Sequence, residues 1–263
     1  MRFLVRLQTK DRIIPINYQY PMSAAIYKII SQGDAEYAEF LHNTGYGKGF
    51  KFFTFSQLNC KFEIDGDRMN LLTDEVSFQI AFHLPQAMEN FVKGLFQSQK
   101  IEIADKKSRA VFSVKSVESL PNPLQKVKEN EIIKMELEPL SPIVAAVKNE
   151  NGNYTFLSPE DARFAESLLF NWRSKIAACY DDETAQNAML LLKPILLQKP
   201  PKSRLITIKE GSPQQTKIRG WMNLKIEVTA ERKFVEILLN SGIGIYNSLG
   251  WGIMSKKNFL EDD

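Results

Sequence analysis

Leu120-Pro121-Asn122-Pro123 interrupts the chain near its middle, and this segment constrains the fold more than any other. Each proline lacks a backbone donor, fixes φ near −65° and pushes the residue before it out of the helical region. Neither a helix nor a central strand passes through such a segment, so each side must fold around its own core. The length agrees. At 263 residues the chain exceeds what one compact core usually organises, and two domains, 1–120 and 125–263, account for it.

Apolar periodicity then reads in the same order on both sides. Residues 2–8 (RFLVRLQ) predict a strand with Phe3, Val5 and Leu7 on one face. Pro21 and Ser23 open an apolar-periodic helix, Gly33 interrupts it, and Asp34 caps a second short helix ending near His42. Residues 51–58 and 60–64 predict strands leading to the tight turn Asp65-Gly66-Asp67. Residues 76–82 predict a strand, 85–97 a helix and 109–117 a strand. Beyond the prolines, 131–138 predict a strand and 159–179 a helix. Strands near 203–209 and 217–228, a helix over 231–240 and a short last strand complete the second half. This is the βαββαβ plan of a ferredoxin-like (RRM-like) sandwich, α+β in class and present in tandem. The repeat lies in element order, not in residue identity.

Composition removes several function classes. A hydrophobic fraction of 44% and a charged fraction of 25% are those of a soluble globular protein. Met1–Arg6 reads as strand rather than a signal peptide, and the most apolar run, Ala188–Leu197, is broken by Lys193 and Pro194. A cytoplasmic protein with no membrane partner is therefore expected. Cys60 and Cys179 stand in no metal-type spacing and are read as reduced thiols. Asp65-Gly66-Asp67 reads as a turn and Asp181-Asp182-Glu183 as a helix end, so no carboxylate set has ligand spacing, and neither metal nor cofactor is expected. The net charge of +3 neither demands nor excludes RNA, because clustering matters more than the total.

The sharpest local pattern is Gly242-Ile243-Gly244-Ile245-Tyr246-Asn247-Ser248-Leu249-Gly250-Trp251-Gly252. Two Gly-apolar-Gly units are separated by five residues. A dinucleotide site would need its glycines between a strand and a helix, whereas these follow a helix. One glycine would cap that helix; four exceed the need, and glycine lets backbone approach a ligand closely. At the end of two ferredoxin-like halves, this pattern resembles the closing loop of the CRISPR-associated endoribonucleases that process repeat RNA. These belong to the repeat-associated mysterious protein superfamily. The resemblance covers the whole chain. It departs from the family only in lacking a basic residue between the glycine pairs.

The resemblance implies metal-independent cleavage of CRISPR precursor RNA within its repeats. It implies attack by the 2′-OH and products ending in a 2′,3′-cyclic phosphate and a 5′-OH. It also gives roles to residues that no periodicity joins: His42 as catalytic histidine, Tyr27 in the preceding helix and Lys48 just after it. His42 stands in LHNTGYGKGF, whose three glycines are expected to leave room for the scissile phosphate. A histidine titrates near neutrality, and a lysine stabilises a developing oxyanion. Taken alone, His42 would read as a helix terminus, Tyr27 as core and Lys48 as a solvated loop residue. The rival reading is a non-catalytic RNA-binding subunit of a CRISPR effector complex. Partners are accordingly the repeat RNA, effector-complex subunits and a second copy of the chain.

Three further groups of RNA contacts are expected. Gly242, Gly244, Gly250 and Gly252 would approach RNA through backbone. Lys48-Gly49-Phe50-Lys51-Phe52-Phe53-Thr54-Phe55 nearly matches an RNA-recognition signature but departs from it at Lys51 and Phe53. Its phenylalanines are read as mostly core and Lys51 as a contact. Seven basic residues fall between Lys199 and Lys225, among them Lys202, Arg204, Lys209, Lys217 and Arg219, with Trp221 beside them. Such a run is a solvated face or a phosphate grip. His83, before Pro85, is read as structural.

Overall fold

The computed structural model describes residues 1–208, 211 and 213–256, so Lys209 and the stretch 257–263 of the second domain lie outside the described residues. The first half contains strands β1 (Arg2–Gln8), β2 (Ile13–Pro15), β3 (Phe53–Phe55), β4 (Phe62–Asp65), β5 (Arg68–Leu71), β6 (Glu75–Phe82), β7 (Lys100–Ala104) and β8 (Arg109–Ser119). Its helices are α1 (Gln19–Gly33), α2 (Ala35–Asn43) and α3 (Pro85–Ser98). The main sheet is antiparallel in the order β3-β6-β1-β8-β7. Leaving out β7, this is the strand order of a ferredoxin-like sandwich, with the first strand at the centre. Val5 lies opposite Phe78 on one side and Val117 on the other.

Helices α1 and α3 cover one face of this sheet. In α1 the buried Met22, Ala25, Ile26, Ile29 and Ile30 recur at helical spacing. The two helices touch backbone to backbone: a side chain on Gly94 would strike the Ile29 carbonyl, and one on Gly33 would strike Asn90. The Asp34 side chain accepts from the Tyr37 N–H at 3.0 Å, which starts α2 after the break at Gly33.

The second half contains β9 (Ile132–Pro139), β10 (Ala146–Lys148), β11 (Tyr154–Phe156), α4 (Arg163–Cys179), α5 (Asp182–Asn187) and β12 (Leu191–Leu196). There follow β13 (Lys202–Ile208), β14 (Thr216–Met222), β15 (Leu224–Glu231), α6 (Arg232–Ser241), a 3-10 turn at Asn247–Leu249 and β16 (Met254–Lys256). The order β12-β15-β9-β16 repeats the ferredoxin-like arrangement. Helices α4 and α6 pack together in its core, where the Trp172 indole donates to the Phe234 carbonyl at 2.9 Å.

Several elements differ from the sequence expectation. Strand β12 was hidden inside the apolar run 188–197, because Pro194 argues against a central strand; as an edge strand it tolerates the proline. The expected strand 217–228 is two strands, broken at Asn223, whose φ is +61°. Consequently β13–β14 is a separate hairpin inserted into the domain, not its second and third strands. In the first half, β4 leaves the main sheet to pair with β5 and β2, and β7 forms an unforeseen edge hairpin with β8.

The halves are bolted together. Half-buried Arg2 donates to the carbonyls of Leu239 at 2.8 Å and Met254 at 2.5 Å. Phe52 leaves the first core and packs in the second, beside Leu137 and Leu168, while Phe53 and Phe55 stay in the first.

Candidate functional site

The glycine-rich segment is where the two domains meet. Gly242 ends α6 with φ +82°, and Gly244, Gly250 and Gly252 also have φ between +71° and +82°. All four are buried. A methyl at Gly242 would lie 2.7 Å from Asn247 Nδ2, and one at Gly244 would meet the Val144 carbonyl. At Gly250 it would enter the Phe55 ring of the first domain, and at Gly252 it would meet the Ile243 carbonyl. Backbone conformation and close packing therefore account for these glycines. Close packing gives these glycines a structural role, since protein atoms occupy the space where a Cβ would stand. The half-buried stretch Ile245–Leu249 is what the loop presents outward.

That outward stretch lies on α1. Ser23 Oγ donates to the Ser248 carbonyl at 2.7 Å, and the Thr54 hydroxyl donates to the Trp251 carbonyl at 2.9 Å. The Tyr27 phenol, one helical turn beyond Ser23, hydrogen-bonds the Ser248 side chain. Burial nevertheless pushes its pKa up to about 12, with the Ser248 bond opposing the shift. Tyr27 thus keeps its proton at neutral pH.

The Tyr27 ring also meets His42. Their centroids are 5.2 Å apart with the planes at 83°, an edge-to-face contact. His42 is exposed in the last turn of α2, and its Nδ1 lies 3.0 Å from Asn43 Oδ1. In the tautomer that donates from Nδ1 to this amide oxygen, the ring lone pair lies on Nε2. The sequence-derived pair is therefore adjacent, and the loop of the other domain adjoins it through Ser248.

Lys48 lies elsewhere: its ammonium stacks over the exposed Phe170 ring of α4 at 5.1 Å. Among the described residues no hydrogen bond or ion pair joins it to His42 or Tyr27. Lys51, assigned only to RNA contact, donates instead to the His42 carbonyl at 2.9 Å, and burial lowers its pKa. Gly45, Gly47 and Gly49 all have positive φ, and a methyl at Gly47 would sit 2.6 Å from Ala178 Cβ. These three glycines answer to a tight turn docked on α4.

The hairpin β13–β14 divides its cations by strand alternation. Lys217 and Arg219 are exposed on one face, where Leu205 lies opposite Arg219. Arg204 points the other way and donates to the Ile16 carbonyl at 2.9 Å, with the Tyr18 ring 5.5 Å beneath its guanidinium. Arg204 is therefore an interdomain tie. Lys202 is exposed at the hairpin base; among the described residues Lys202, Lys217 and Arg219 have no ion-pair partner. Lys225 is engaged, 3.3 Å from Glu136.

Two residues that matter escaped the sequence reading. Ser248 was only a loop residue, and Lys175 was hidden in the apolar stripe of α4. Buried Lys175 donates to the Gly242 carbonyl at 2.6 Å and to Asn247 Oδ1 at 2.7 Å. Among the described residues no three His, Cys, Asp or Glu side chains gather as metal ligands, and no helix is long and apolar enough to cross a membrane.

Two ferredoxin-like domains, joined where a glycine-rich loop of the second sits beside a histidine and tyrosine of the first, define a tandem CRISPR-associated class. The family described as CRISPR associated protein Cas6, C-terminal, matches residues 123–255, and its N-terminal counterpart matches 13–118. The chain belongs to the Cas6 family. It is 28% identical over 259 residues to CRISPR-associated endoribonuclease Cas6 1 of Methanocaldococcus jannaschii, covering 97% of this chain and 92% of that one. It is 25% identical over 260 residues to CRISPR-associated endoribonuclease Cas6 of Pyrococcus furiosus, covering 97% and 89%. A solved structure titled CRISPR associated protein Cas6 superposes with a TM-score of 0.70 at 26% identity, covering 98% of this chain and 99% of that one.

Proposed function

We propose that this protein is an endoribonuclease that cuts CRISPR precursor RNA within its repeats, without metal, at the Tyr27–His42 site. Its partner is the repeat RNA, and hand-over of the product to effector-complex subunits is the role that follows cleavage. Kinship with proteins named endoribonucleases supports the reaction class. The observation that carries the site is the edge-to-face contact of Tyr27 and His42 beside Ser248 of the opposite domain.

The residues suit an internal transesterification. His42 Nε2, unprotonated in the neutral ring, takes the proton of the ribose 2′-OH as that oxygen attacks phosphorus. The bond to the 5′ oxygen breaks, and the imidazolium returns its proton to that leaving group. One strand then ends in a 2′,3′-cyclic phosphate and the other begins with a 5′-OH. Tyr27, with its pKa near 12, serves as a hydrogen-bond donor rather than a base. Positive charge for the oxyanion comes from Lys51, bonded to His42, with Lys48 reaching RNA from its place over Phe170.

The test is single-turnover cleavage of repeat RNA by saturating His42→Ala protein beside a binding titration. The rate should fall by roughly 10²–10⁴-fold, the usual range for proton transfer by one side chain. Affinity should hold, because one imidazole adds little to a multi-phosphate interface. A wild-type rate would overturn the reading and favour a purely RNA-binding role.

A further inference from the structure

Lys175 is the only fully buried charged side chain among the described residues, at 1% exposure, and among them no carboxylate pairs with it. Stability alone does not explain an ammonium there, since a methionine would fill the same volume without the desolvation penalty. Its surroundings are oxygen acceptors. Nζ lies 2.6 Å from the Gly242 carbonyl, 2.7 Å from Asn247 Oδ1 and 3.4 Å from the Ser241 carbonyl. Three acceptors match the three protons of the ammonium form. Burial pulls the pKa down to about 7, opposed by the charge interaction with Cys179.

Every acceptor belongs to the glycine-rich segment or its entry. Asn247 in turn donates its amide protons to the carbonyls of Ile243 at 3.0 Å and Trp251 at 2.9 Å, clasping the loop between its two glycine pairs. The next residue is Ser248, whose carbonyl receives the Ser23 hydroxyl and whose side chain bonds the Tyr27 phenol. The path from Lys175 to Tyr27 therefore runs through two adjacent loop residues. It also supplies the cation that the loop's own sequence lacks, from beneath rather than within.

We propose that Lys175 is a positioning residue for RNA cleavage, whose ammonium fixes the loop so that Ser248 holds Tyr27 against His42. This rests on the cleavage site proposed above. Lys175→Met should melt near wild type and bind repeat RNA within about threefold, since the RNA phosphates are met by other cations. Its single-turnover rate should fall about 10- to 100-fold, the scale of a small misplacement of reacting groups. In [13Cζ]tyrosine NMR, the Tyr27 resonance, assigned with Tyr27→Phe, should titrate below its native value of about 12, because burial is its main cause. For Lys175→Ala, methylammonium should restore cleavage and methanol should not, separating charge from filled volume.

A folded Lys175→Met protein with a wild-type rate and an unmoved Tyr27 titration would overturn the proposal, as would equal rescue by methanol. Should Lys175→Met fail to fold, Asn247→Ala removes one acceptor from the loop side, and an unchanged rate there overturns it equally. The NMR readout needs no activity. If His42→Ala cleaves normally while Lys175→Met still shifts Tyr27, the cleavage site is wrong and the hold on the loop stands.

Discussion

Replacing Gly250 by alanine tests whether the glycine-rich loop is built for packing. Two costs apply. The backbone sits at φ +82°, where a non-glycine residue loses about 1–2 kcal/mol. The new Cβ would also lie 2.7 Å from Phe55 Cζ and closer still to Cε2, in a fully buried ring that cannot swing aside. Overpacking of this kind costs about 1–3 kcal/mol. The sum, about 2–5 kcal/mol, is a large share of the roughly 5–15 kcal/mol that holds a native domain together. At about 2–4 °C per kcal/mol, a central value of about 3 kcal/mol lowers Tm by about 6–12 °C. Gly66→Ala is the control: φ is +58° there, but nothing lies within 4 Å of the added carbon. It carries the backbone penalty without the clash, and differential scanning calorimetry of the two variants isolates the Phe55 contribution. If Gly250→Ala melts within about 1 °C of Gly66→Ala, the loop yields freely at this point and the packing account of its glycines fails.

Cleavage should persist in excess EDTA, and a 2′-deoxy substitution at the scissile nucleotide should abolish it; restoration by magnesium of EDTA-lost activity would refute the metal-free route. Joint Lys217→Ala and Arg219→Ala substitution should weaken RNA binding and reduce the slope of log K against log salt by about 1.4, about 0.7 per lost phosphate contact on single strands. Arg204→Ala should instead lower Tm and leave that slope unchanged, because its guanidinium serves Ile16 and Tyr18. His83 has its pKa lowered to about 4 by burial, and then by the amino terminus and Lys175. The native state thus binds fewer protons than the unfolded chain between pH 4 and about 6.5, so stability present above pH 6.5 is lost as pH falls through that window. The loss is at most about 3 kcal/mol, and denaturant titrations of His83→Leu should show it flattened.

Fold class was legible because both ferredoxin-like halves carry ordinary signals: alternation in β1, helical spacing in α1, a proline at the start of α3. The missed strand β12 shows where such signals run out. Its Leu191, Lys193 and Leu196 are exposed while Leu192 is buried, so an edge position blurs the alternation, and Pro194 reads as a breaker until a free edge is known. Asn223 posed the opposite problem. In TKIRGWMNLKIEVTAE only the asparagine, a residue type that tolerates the left-handed region, hints at the break, yet that one φ separates a hairpin insertion from the central sheet.

At the site, sequence could name residue types but not their partners. His42 and Tyr27 lie on different helices, and only the chain reversal at Gly33 and Asp34 brings the rings to 5.2 Å. On paper Lys48 was assigned to catalysis and Lys51 to RNA contact. The turn through Gly45, Gly47 and Gly49 decides between them, turning Lys48 toward Phe170 and Lys51 back to the His42 carbonyl. A glycine chosen because a ligand must come close and one chosen because protein already has come close look identical in sequence. What separates them is which atoms occupy the space beside Cα. At Gly250 that space holds Phe55 from the other domain, so the loop works as a seat between domains and meets Tyr27 through Ser248. A site of Tyr27, His42 and Ser248 would depend on the domains keeping their relative placement, to which half-buried Arg2 contributes by reaching from β1 to the Leu239 and Met254 carbonyls.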